Sequence, residues 1–199
     1  MTLPDGRFSA IVADPPWSWA SWGPKGQGRG AVQHYGVMTL DDIAALPVRD
    51  YAADDCVLFL WAINPMLPQA LRVMESWGFS YRTKAFEWVK LTPRSGADAL
   101  RWHMGLGYYT RQNSESCLLG VRGKPKRLNR DVRQLLVAPR REHSRKPDEF
   151  YSRVERLVPG PYLELFARQS RPGWATWGAE REKFDGAGIV RRALRVENI

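Results

Sequence analysis

Ile11-Val12-Ala13-Asp14-Pro15-Pro16-Trp17 is the stretch around which this chain is organised. An apolar run typical of a β-strand ends in an aspartate, and two prolines separate that aspartate from an indole. In open α/β sheets, ligands bind outside the carboxyl ends of the strands. Because proline lacks an N–H and fixes φ, Asp14 and the carbonyl groups that follow it form a rigid set of hydrogen-bond acceptors. The stretch therefore predicts a site centred on Asp14.

Length and composition favour one folded domain. The 199 residues suffice for one sizeable core, and 44% of them are hydrophobic. No stretch approaches the run of about 20 apolar residues that a membrane helix requires, and the amino terminus lacks a signal-peptide pattern. We therefore expect a cytoplasmic protein that does not enter a membrane. Cys56 and Cys117 lie in apolar runs, which favours buried reduced thiols, and the three histidines show no metal-ligand spacing, so no metal is expected.

The net charge of +9 indicates a polyanionic partner. The charge is concentrated, because ten lysines and arginines lie between Arg122 and Lys146 against only two acidic residues. This imbalance is typical of contact with a nucleic-acid backbone. A solubilising surface loop is the alternative interpretation.

Strand and helix patterns alternate along the chain, which predicts an α/β domain with a largely parallel sheet. Strands are predicted at residues 9–13, 56–61, 85–89, 117–121, 134–138, 162–168 and 174–177, and helices begin near residues 39, 64 and 147. Two long segments, residues 17–35 and 91–111, interleave glycines with aromatic and basic residues. The first fits no phosphate-binding fingerprint. We interpret both segments as lids over the site.

The acceptors at Asp14 suit a primary amine such as the exocyclic amine of adenine. That amine is a poor nucleophile because its lone pair is delocalised into the ring. Hydrogen bonds from its two protons to Asp14 and to the Pro15 carbonyl would favour a tetrahedral nitrogen, which could attack a sulfonium methyl in line. Trp17 would stack on the base, and a base in a duplex must first be flipped out. The alternative is a simple Asp-Pro turn with Trp17 in the core.

The motif Asp14-Pro15-Pro16-Trp17 resembles the DPPW motif of the adenine-N6 methyltransferases, a family typified by the catalytic subunit of the eukaryotic messenger-RNA adenine-N6 writer. Small bacterial and phage proteins are related to it. Further segments of the chain follow in the family's order, and the resemblance covers about residues 8–180. These segments are Tyr35-Gly36-Val37-Met38, Leu58-Phe59-Leu60-Trp61, Trp88-Val89-Lys90, Leu119-Gly120-Val121-Arg122-Gly123, Ser144-Arg145-Lys146-Pro147-Asp148-Glu149 and Glu164-Leu165-Phe166-Ala167-Arg168.

The resemblance implies a Rossmann-like, S-adenosylmethionine-dependent methyltransferase. Its central sheet would be mostly parallel with helices on both faces, and its motifs would follow a permuted, beta-class-like order. Residues 1–180 would form the methyltransferase domain, and residues 181–199 would be a charged tail or edge element. The small prokaryotic relatives favour DNA as the substrate. RNA methylation, a catalytically silent nucleic-acid-binding subunit and methylation of a protein glutamine remain alternatives, as does assembly into a homodimer or with a methyltransferase-like partner.

The resemblance also assigns site residues by position. Asp14, Pro15, Pro16 and Trp17 would form the catalytic motif, with Asp14 also near the methionine end of the cofactor. The other cofactor-binding positions are Ser114, Glu164, Phe166, Arg168, Ser170 and Glu180, and the substrate-binding positions are Tyr35, Trp22, Lys25, Arg29, Lys90, Arg111 and Asn113. Ser114 stands where the family has a lysine that contacts the cofactor tail, Ser170 replaces a histidine, and Ala179-Glu180 replaces an Asn-Gln pair. These departures concern cofactor affinity rather than the type of reaction.

Overall fold

The strands and the three predicted helices occur in the predicted order, and one further short helix precedes the second strand. The computed structural model describes residues 4–18, 38–96, 99–142 and 145–185. The strands are β1 (Phe8–Ala13), β2 (Ala52–Ala62), β3 (Ser80–Leu91), β4 (Ser114–Arg122), β5 (Leu135–Pro139), β6 (Tyr162–Leu165) and β7 (Trp174–Trp177). The helices are α1 (Leu40–Ala44), α2 (Val48–Tyr51), α3 (Leu67–Ser76) and α4 (Asp148–Leu157), and a 3₁₀ turn at Asn64–Met66 precedes α3.

All seven strands form one sheet in the order β5-β3-β4-β2-β1-β6-β7. β1 is parallel to β2 and β6, β3 is parallel to β5, and β6 is parallel to β7. β4 lies antiparallel between β2 and β3, so it is the strand that reverses direction. The mostly parallel sheet is confirmed. One edge, called here the carboxyl edge, holds the carboxyl ends of six strands together with the amino end of β4.

Two apolar layers cover the sheet, one on each face. Because side chains alternate along a strand, Ile11 and Ala13 face one layer while Ala10 and Val12 face the other. The first layer packs against α1 and α3 through Ile43, Ala70, Val73 and Met74, and the second packs against α4 through Phe150, Tyr151 and Val154. Burial on both faces explains why β1 and β2 contain nearly continuous apolar runs. Helices on both faces are therefore confirmed.

Local signals account for most element ends. The Thr39 side chain accepts a hydrogen bond from the Asp42 N–H at 3.1 Å and caps α1. Gly78, with a φ of 83°, follows the end of α3. The strand predicted to reach residue 168 ends at Leu165, because Phe166 has a φ of 61° and turns the chain. β3 begins at Ser80, five residues before its predicted start. The prediction missed Ser80 to Lys84 because this mostly exposed part of the strand carries no apolar pattern.

The two segments interpreted as lids differ in what the structure describes. Residues 19–35 of the first segment lie outside the described residues, and the substrate positions Tyr35, Trp22, Lys25 and Arg29 lie there with them. The second segment leaves the carboxyl end of β3 and returns to the start of β4, and most of it is described. None of the described helices is long and apolar enough to span a membrane.

Candidate active site

A cleft opens at the carboxyl edge between the ends of β1 and β6. The chain leaves β1 towards β2 and leaves β6 towards β7 on the other side, and such a switch in direction is where open α/β sheets bind ligands. The space in the cleft, including solvent at its mouth, is about 470 Å³. Its lining consists of Val12, Asp14, Trp61, Arg145, Lys146, Tyr151, Glu164, Phe166, Arg168, Gln169, Arg171 and Phe184.

Asp14 follows the last residue of β1, and its side chain is 21% exposed in the cleft. The prolines after it bend the chain, and the Trp17 N–H donates to the Pro15 carbonyl at 2.8 Å. The Trp17 ring is only 5% exposed, and its Nε1 donates to the Trp61 carbonyl at 3.0 Å. In this structure Trp17 is therefore a core residue that fixes the backbone of the motif, whereas the sequence interpretation gives it a base-stacking role.

A chain of alternating charges leads from Asp14 away from the cleft. Lys146 Nζ donates to Asp14 Oδ2 at 2.8 Å and to Glu115 Oε2 at 3.1 Å, and Lys90 donates to Glu115 Oε1. The Lys146 ammonium also lies 4.9 Å from the centre of the Trp61 ring. Asp14, Lys146, Glu115 and Lys90 are called the ion-pair chain below.

The ion-pair chain is buried enough to change the pKa values of its members. Burial would raise the pKa of Glu115, but Lys146 and Lys90 outweigh burial and lower that pKa to about 2. Burial would likewise lower the pKa of Lys146, but the Asp14 and Glu115 carboxylates raise it above its usual value. Lys146 and Glu115 are therefore both charged at neutral pH, and each holds the other in place.

The β6 side of the cleft is different. The Tyr151 hydroxyl donates to Glu164 Oε1 at 2.6 Å, and the Arg171 guanidinium lies 3.7 Å from the centre of the Tyr151 ring. Burial raises the pKa of Glu164 to about 7, although the Tyr151 hydrogen bond and the Arg171 charge oppose that rise. The Glu164 carboxyl therefore changes its protonation state near neutral pH. Glu164, Tyr151 and Arg171 are called the Glu164 group below.

Three buried donors in the cleft have no hydrogen-bond partner among the described residues. They are Trp61 Nε1, Arg145 Nε and Arg171 Nε. Buried polar atoms are nearly always paired in folded proteins, so an unpaired group calls for an explanation. Because the three side chains line one cleft, these nitrogens are candidate donors to the acceptor atoms of a ligand.

Comparison with known proteins identifies the family. Residues 8–180 match the MT-A70 family model. The chain belongs to the MT-A70 family. It is 33% identical over 196 residues to the type II methyltransferase M.MunI of Mycoplasma sp, an alignment that covers 89% of this chain and 79% of that protein.

Eukaryotic members of the family are similar over the same region. The N(6)-adenosine-methyltransferase catalytic subunit METTL3 of Homo sapiens is 32% identical over 194 residues, which are 93% of this chain and 30% of that protein. The MT-A70-like N(6)-adenosine-methyltransferase of Arabidopsis thaliana is 31% identical over 96% of this chain and 26% of that protein. The chain thus spans most of the Mycoplasma relative but less than a third of these eukaryotic ones.

The structure brings several of the predicted cofactor positions to the cleft of this MT-A70 protein. Glu164, Phe166 and Arg168 line the cleft together with Asp14. Glu180 lies beside the cleft, with its Oε2 3.7 Å from Arg168 Nε. Ser170 donates through its N–H and its hydroxyl to the Asp185 carboxylate at 2.8 Å and 2.7 Å.

Residues beyond position 180 also contribute to the cleft. The Phe184 N–H donates to the Arg168 carbonyl at 3.0 Å, and the Phe184 ring is 8% exposed and lines the cleft. Arg145 lies over the same ring at 5.2 Å. Residues 181–185 therefore pack against the domain predicted for residues 1–180, while residues 186–199 lie outside the described part of the chain.

Sequence reasoning missed Lys146 and Glu115. The resemblance places the family's cofactor lysine at Ser114, which here begins β4 and is not in the cleft lining, whereas Lys146 lies in the cleft beside Asp14. A signal for Lys146 was present in the segment at residues 144–149 that follows the family order. It was obscured because this lysine is one of ten cations in the basic stretch.

The remaining predicted substrate positions are Lys90, near the carboxyl end of β3, and Arg111 and Asn113, just before β4, and none of them is among the residues that line the cleft. Lys90 is the outer cation of the ion-pair chain, and its N–H donates to the Asn113 carbonyl at 2.8 Å. Arg111 Nε donates to the Gly105 carbonyl at 2.7 Å, so part of its guanidinium supports the loop.

The basic stretch between Arg122 and Lys146 contains both buried and exposed cations. Arg145 and Lys146 are buried in the cleft, whereas the exposed members are Lys124, Lys126, Arg127, Arg130, Arg133 and Arg140.

Proposed function

We propose that this MT-A70 chain transfers a methyl group from S-adenosylmethionine to the N6 amine of adenine in DNA. The observation that carries the proposal is Asp14, followed by two prolines, in a cleft that also contains three unpaired buried donors. The name of the Mycoplasma relative supports methyl transfer as the reaction, and the names of the eukaryotic relatives support the N6 position. The excess of basic charge supports a nucleic-acid substrate.

The residues present fit the cofactor. The unpaired donors of Trp61, Arg145 and Arg171 suit its carboxylate, hydroxyl and ring-nitrogen acceptors. Asp14 and Glu164 supply carboxyl groups for its amine and its ribose hydroxyls, and Phe166 supplies an apolar wall. Bound S-adenosylmethionine supplies a methyl group on a sulfonium, which is the electrophile of the reaction.

Asp14 and Pro15 would act on the acceptor amine. Hydrogen bonds from the two amine protons to the Asp14 carboxylate and the Pro15 carbonyl orient the nitrogen and make its lone pair more available. As the amine accepted the methyl group that the bound cofactor would supply, it would give up one proton on the side of the Asp14 carboxylate. The rate is gained mainly from orientation and from fixed electrostatics.

Lys146 acts through Asp14 rather than on the base. Its ammonium lies in a fixed position between two carboxylates and holds Asp14 Oδ2 at 2.8 Å. A carboxylate held in this way keeps its orientation without an entropic loss when the substrate binds. Lys146 is therefore a positioning residue for the acceptor site.

The decisive experiment is transfer of tritiated methyl groups from S-adenosylmethionine to oligonucleotides. DNA and RNA strands with single adenines replaced by N6-methyladenine would identify the substrate and its sequence context. We expect Asp14→Asn to lower kcat at least about 100-fold while the fold is retained. Asp131→Asn is a matched control, since Asp131 is an exposed carboxylate paired with Arg156 away from the cleft.

Calorimetry with S-adenosylmethionine separates an enzyme from a silent binding subunit. The proposal requires that the wild-type chain bind the cofactor and methylate DNA. Absence of cofactor binding would contradict it in favour of a silent subunit. Transfer to RNA alone would leave the chemistry at Asp14 in place but overturn the choice of DNA.

A further inference from the structure

Tyr109 occupies an unusual position at the tip of the segment between β3 and β4. Its φ is 58°, a left-handed value that a tyrosine rarely adopts. The Thr110 N–H donates to the Tyr108 carbonyl at 2.6 Å, so Tyr109 is the central residue of a tight γ-turn. The Tyr109 side chain is fully exposed. A bulky aromatic side chain is thus held away from the protein on a strained backbone.

The loop that carries Tyr109 is braced by hydrogen bonds. The Gly105 N–H donates to the Gln112 carbonyl at 2.8 Å, and Arg111 Nε donates to the Gly105 carbonyl at 2.7 Å. A Cβ at Gly107 would lie 2.4 Å from the Thr110 carbonyl oxygen, so this shape requires glycine there. Residues 105–112, called the Tyr109 loop below, therefore have one shape fixed by their backbone.

The base of the Tyr109 loop is attached to the site. The His103 N–H donates to the Lys90 carbonyl at 2.9 Å, and the Lys90 N–H donates to the Asn113 carbonyl at 2.8 Å. The side chain of the same lysine ends the ion-pair chain that leads to Asp14. The Tyr109 loop therefore rises from the carboxyl edge that also holds Asp14.

We propose that Tyr109 is a stacking platform for an unpaired nucleobase beside the target adenine. The inference rests on the proposed function, because it assumes a nucleic acid at this edge. Aromatic side chains stack on successive bases of single strands without regard to sequence, and nearby cations hold the backbone. Residues 92–112 include Arg94, Arg101 and Arg111 against one carboxylate, Asp98, and this excess of positive charge suits a polyanion.

Strain at Tyr109 is consistent with such a role. Strained backbone persists where the surrounding structure enforces it, and it is concentrated at functional sites. The Tyr109 ring is fully exposed, so it buries no surface in the core that would offset this strain. Stacking on a base supplies the missing contact and uses the exposure of the ring.

Tyr109→Gly and Tyr109→Phe form a matched pair of variants. Glycine accepts the positive φ, so Tyr109→Gly removes the ring while the Tyr109 loop keeps its shape and the fold is not destabilised. Phenylalanine keeps the aromatic face. We expect Tyr109→Gly to raise the Kd for a fluorescent single-stranded oligonucleotide, measured by anisotropy, about tenfold, whereas Tyr109→Phe leaves it within about twofold.

Salt dependence distinguishes stacking from charge. Arg101→Gln should reduce the slope of log K against log salt by about one, as loss of one phosphate contact does. Tyr109→Gly should weaken binding by the same factor at every salt concentration. A reduced slope for Tyr109→Gly as well would overturn stacking as the explanation.

The failure of this inference is separable from the failure of the proposed function. If the wild-type chain methylates oligonucleotides and Tyr109→Gly has unchanged Kd and KM, stacking is overturned while the function stands. If no methyl transfer occurs but Tyr109→Gly still loses binding, the stacking role stands alone. Sedimentation is the final check, because dissociation of a wild-type dimer by Tyr109→Gly would assign the ring to a second copy of the chain and overturn the proposal.

Discussion

The two polar clusters of the cleft, the ion-pair chain and the Glu164 group, differ in how completely their members are paired. In the ion-pair chain, Lys146 lies between Asp14 and Glu115, and Glu115 is also paired with Lys90. In the Glu164 group, burial raises the pKa of the Glu164 carboxyl to about 7. Arg171 Nε, in the same group, has no hydrogen-bond partner among the described residues. Each charge of the ion-pair chain has a partner as it stands, whereas Arg171 of the Glu164 group is fully paired only with a ligand.

This difference separates stability from binding. Removal of one member from a paired buried set leaves another charge unpaired, so the folded state loses free energy. Removal of a donor that has no partner costs the folded protein little, but it takes a hydrogen bond away from a bound ligand. Substitutions on the two sides of the cleft should therefore change different measurements.

Lys146→Met should produce the largest change in stability. The side chain of Lys146 is 6% exposed, and its removal leaves the Asp14 and Glu115 carboxylates buried without their shared cation. Breaking a buried ion pair in this way lowers the free energy of unfolding by about 3–5 kcal/mol. Urea unfolding at pH 7 measures this loss directly.

Lys183→Met is the matched control for that experiment. Lys183 pairs with Glu180 at 2.6 Å, but its side chain is 40% exposed, so we expect a loss below about 1 kcal/mol. Equal stabilities for the two variants would show that the ion-pair chain does not stabilise the fold. It would also remove the argument that Lys146 holds Asp14 in position.

The fold was largely predictable from the sequence because its strands are covered on both faces. Continuous apolar runs mark β1 and β2, and Thr39 and Gly78 mark helix ends. The direction of β4 was not predictable, because the residues of a strand do not encode whether its neighbours run parallel to it. The 22 residues between β3 and β4 are long enough for either connection.

The site was predictable only in part. Asp14 could be found because the carboxylate, the two prolines and the strand before them are consecutive in the sequence. Lys146 lies 132 positions away from Asp14 and is surrounded by other cations, so nothing local distinguishes a buried lysine from an exposed one. The pairing between distant charges appears only when the strand order and the connection into α4 are known.

Glu164→Gln should abolish the pH dependence of stability that Glu164 imposes. Between pH 4.5 and about 7 the folded protein holds a proton on Glu164 that the unfolded chain has released. Because the folded state binds more protons in this window, wild-type stability falls as pH rises through it, by at most about 3 kcal/mol. The variant lacks this loss, so it should match the wild type at pH 4 and exceed its free energy of unfolding at pH 8.

Glu115→Gln provides a control of opposite sign. Glu115 has a pKa of about 2 in the folded state against 4.5 ordinarily, so its contribution to stability is present above pH 4.5 and lost as pH falls towards 2. Glu115→Gln should therefore be less stable than the wild type at pH 7. If both glutamine variants changed stability in the same direction at neutral pH, the contrast between the two sides of the cleft would be wrong.

Arg171→Lys should have the smallest effect, and its effect should be on binding. Lysine keeps a cation near Asp148 and Tyr151 but removes the buried Nε that lacks a partner among the described residues. A hydrogen bond to a charged group contributes about 1.5–3 kcal/mol, so calorimetry should show S-adenosylmethionine binding weakened at least about tenfold, with unfolding changed by less than about 1 kcal/mol. Arg156→Lys, at an exposed pair with Asp131, should change neither quantity. If Arg171→Lys destabilised the fold but left cofactor affinity intact, Arg171 would stabilise the folded protein and would not bind the cofactor. The contrast between the Glu164 group and the ion-pair chain would then be wrong.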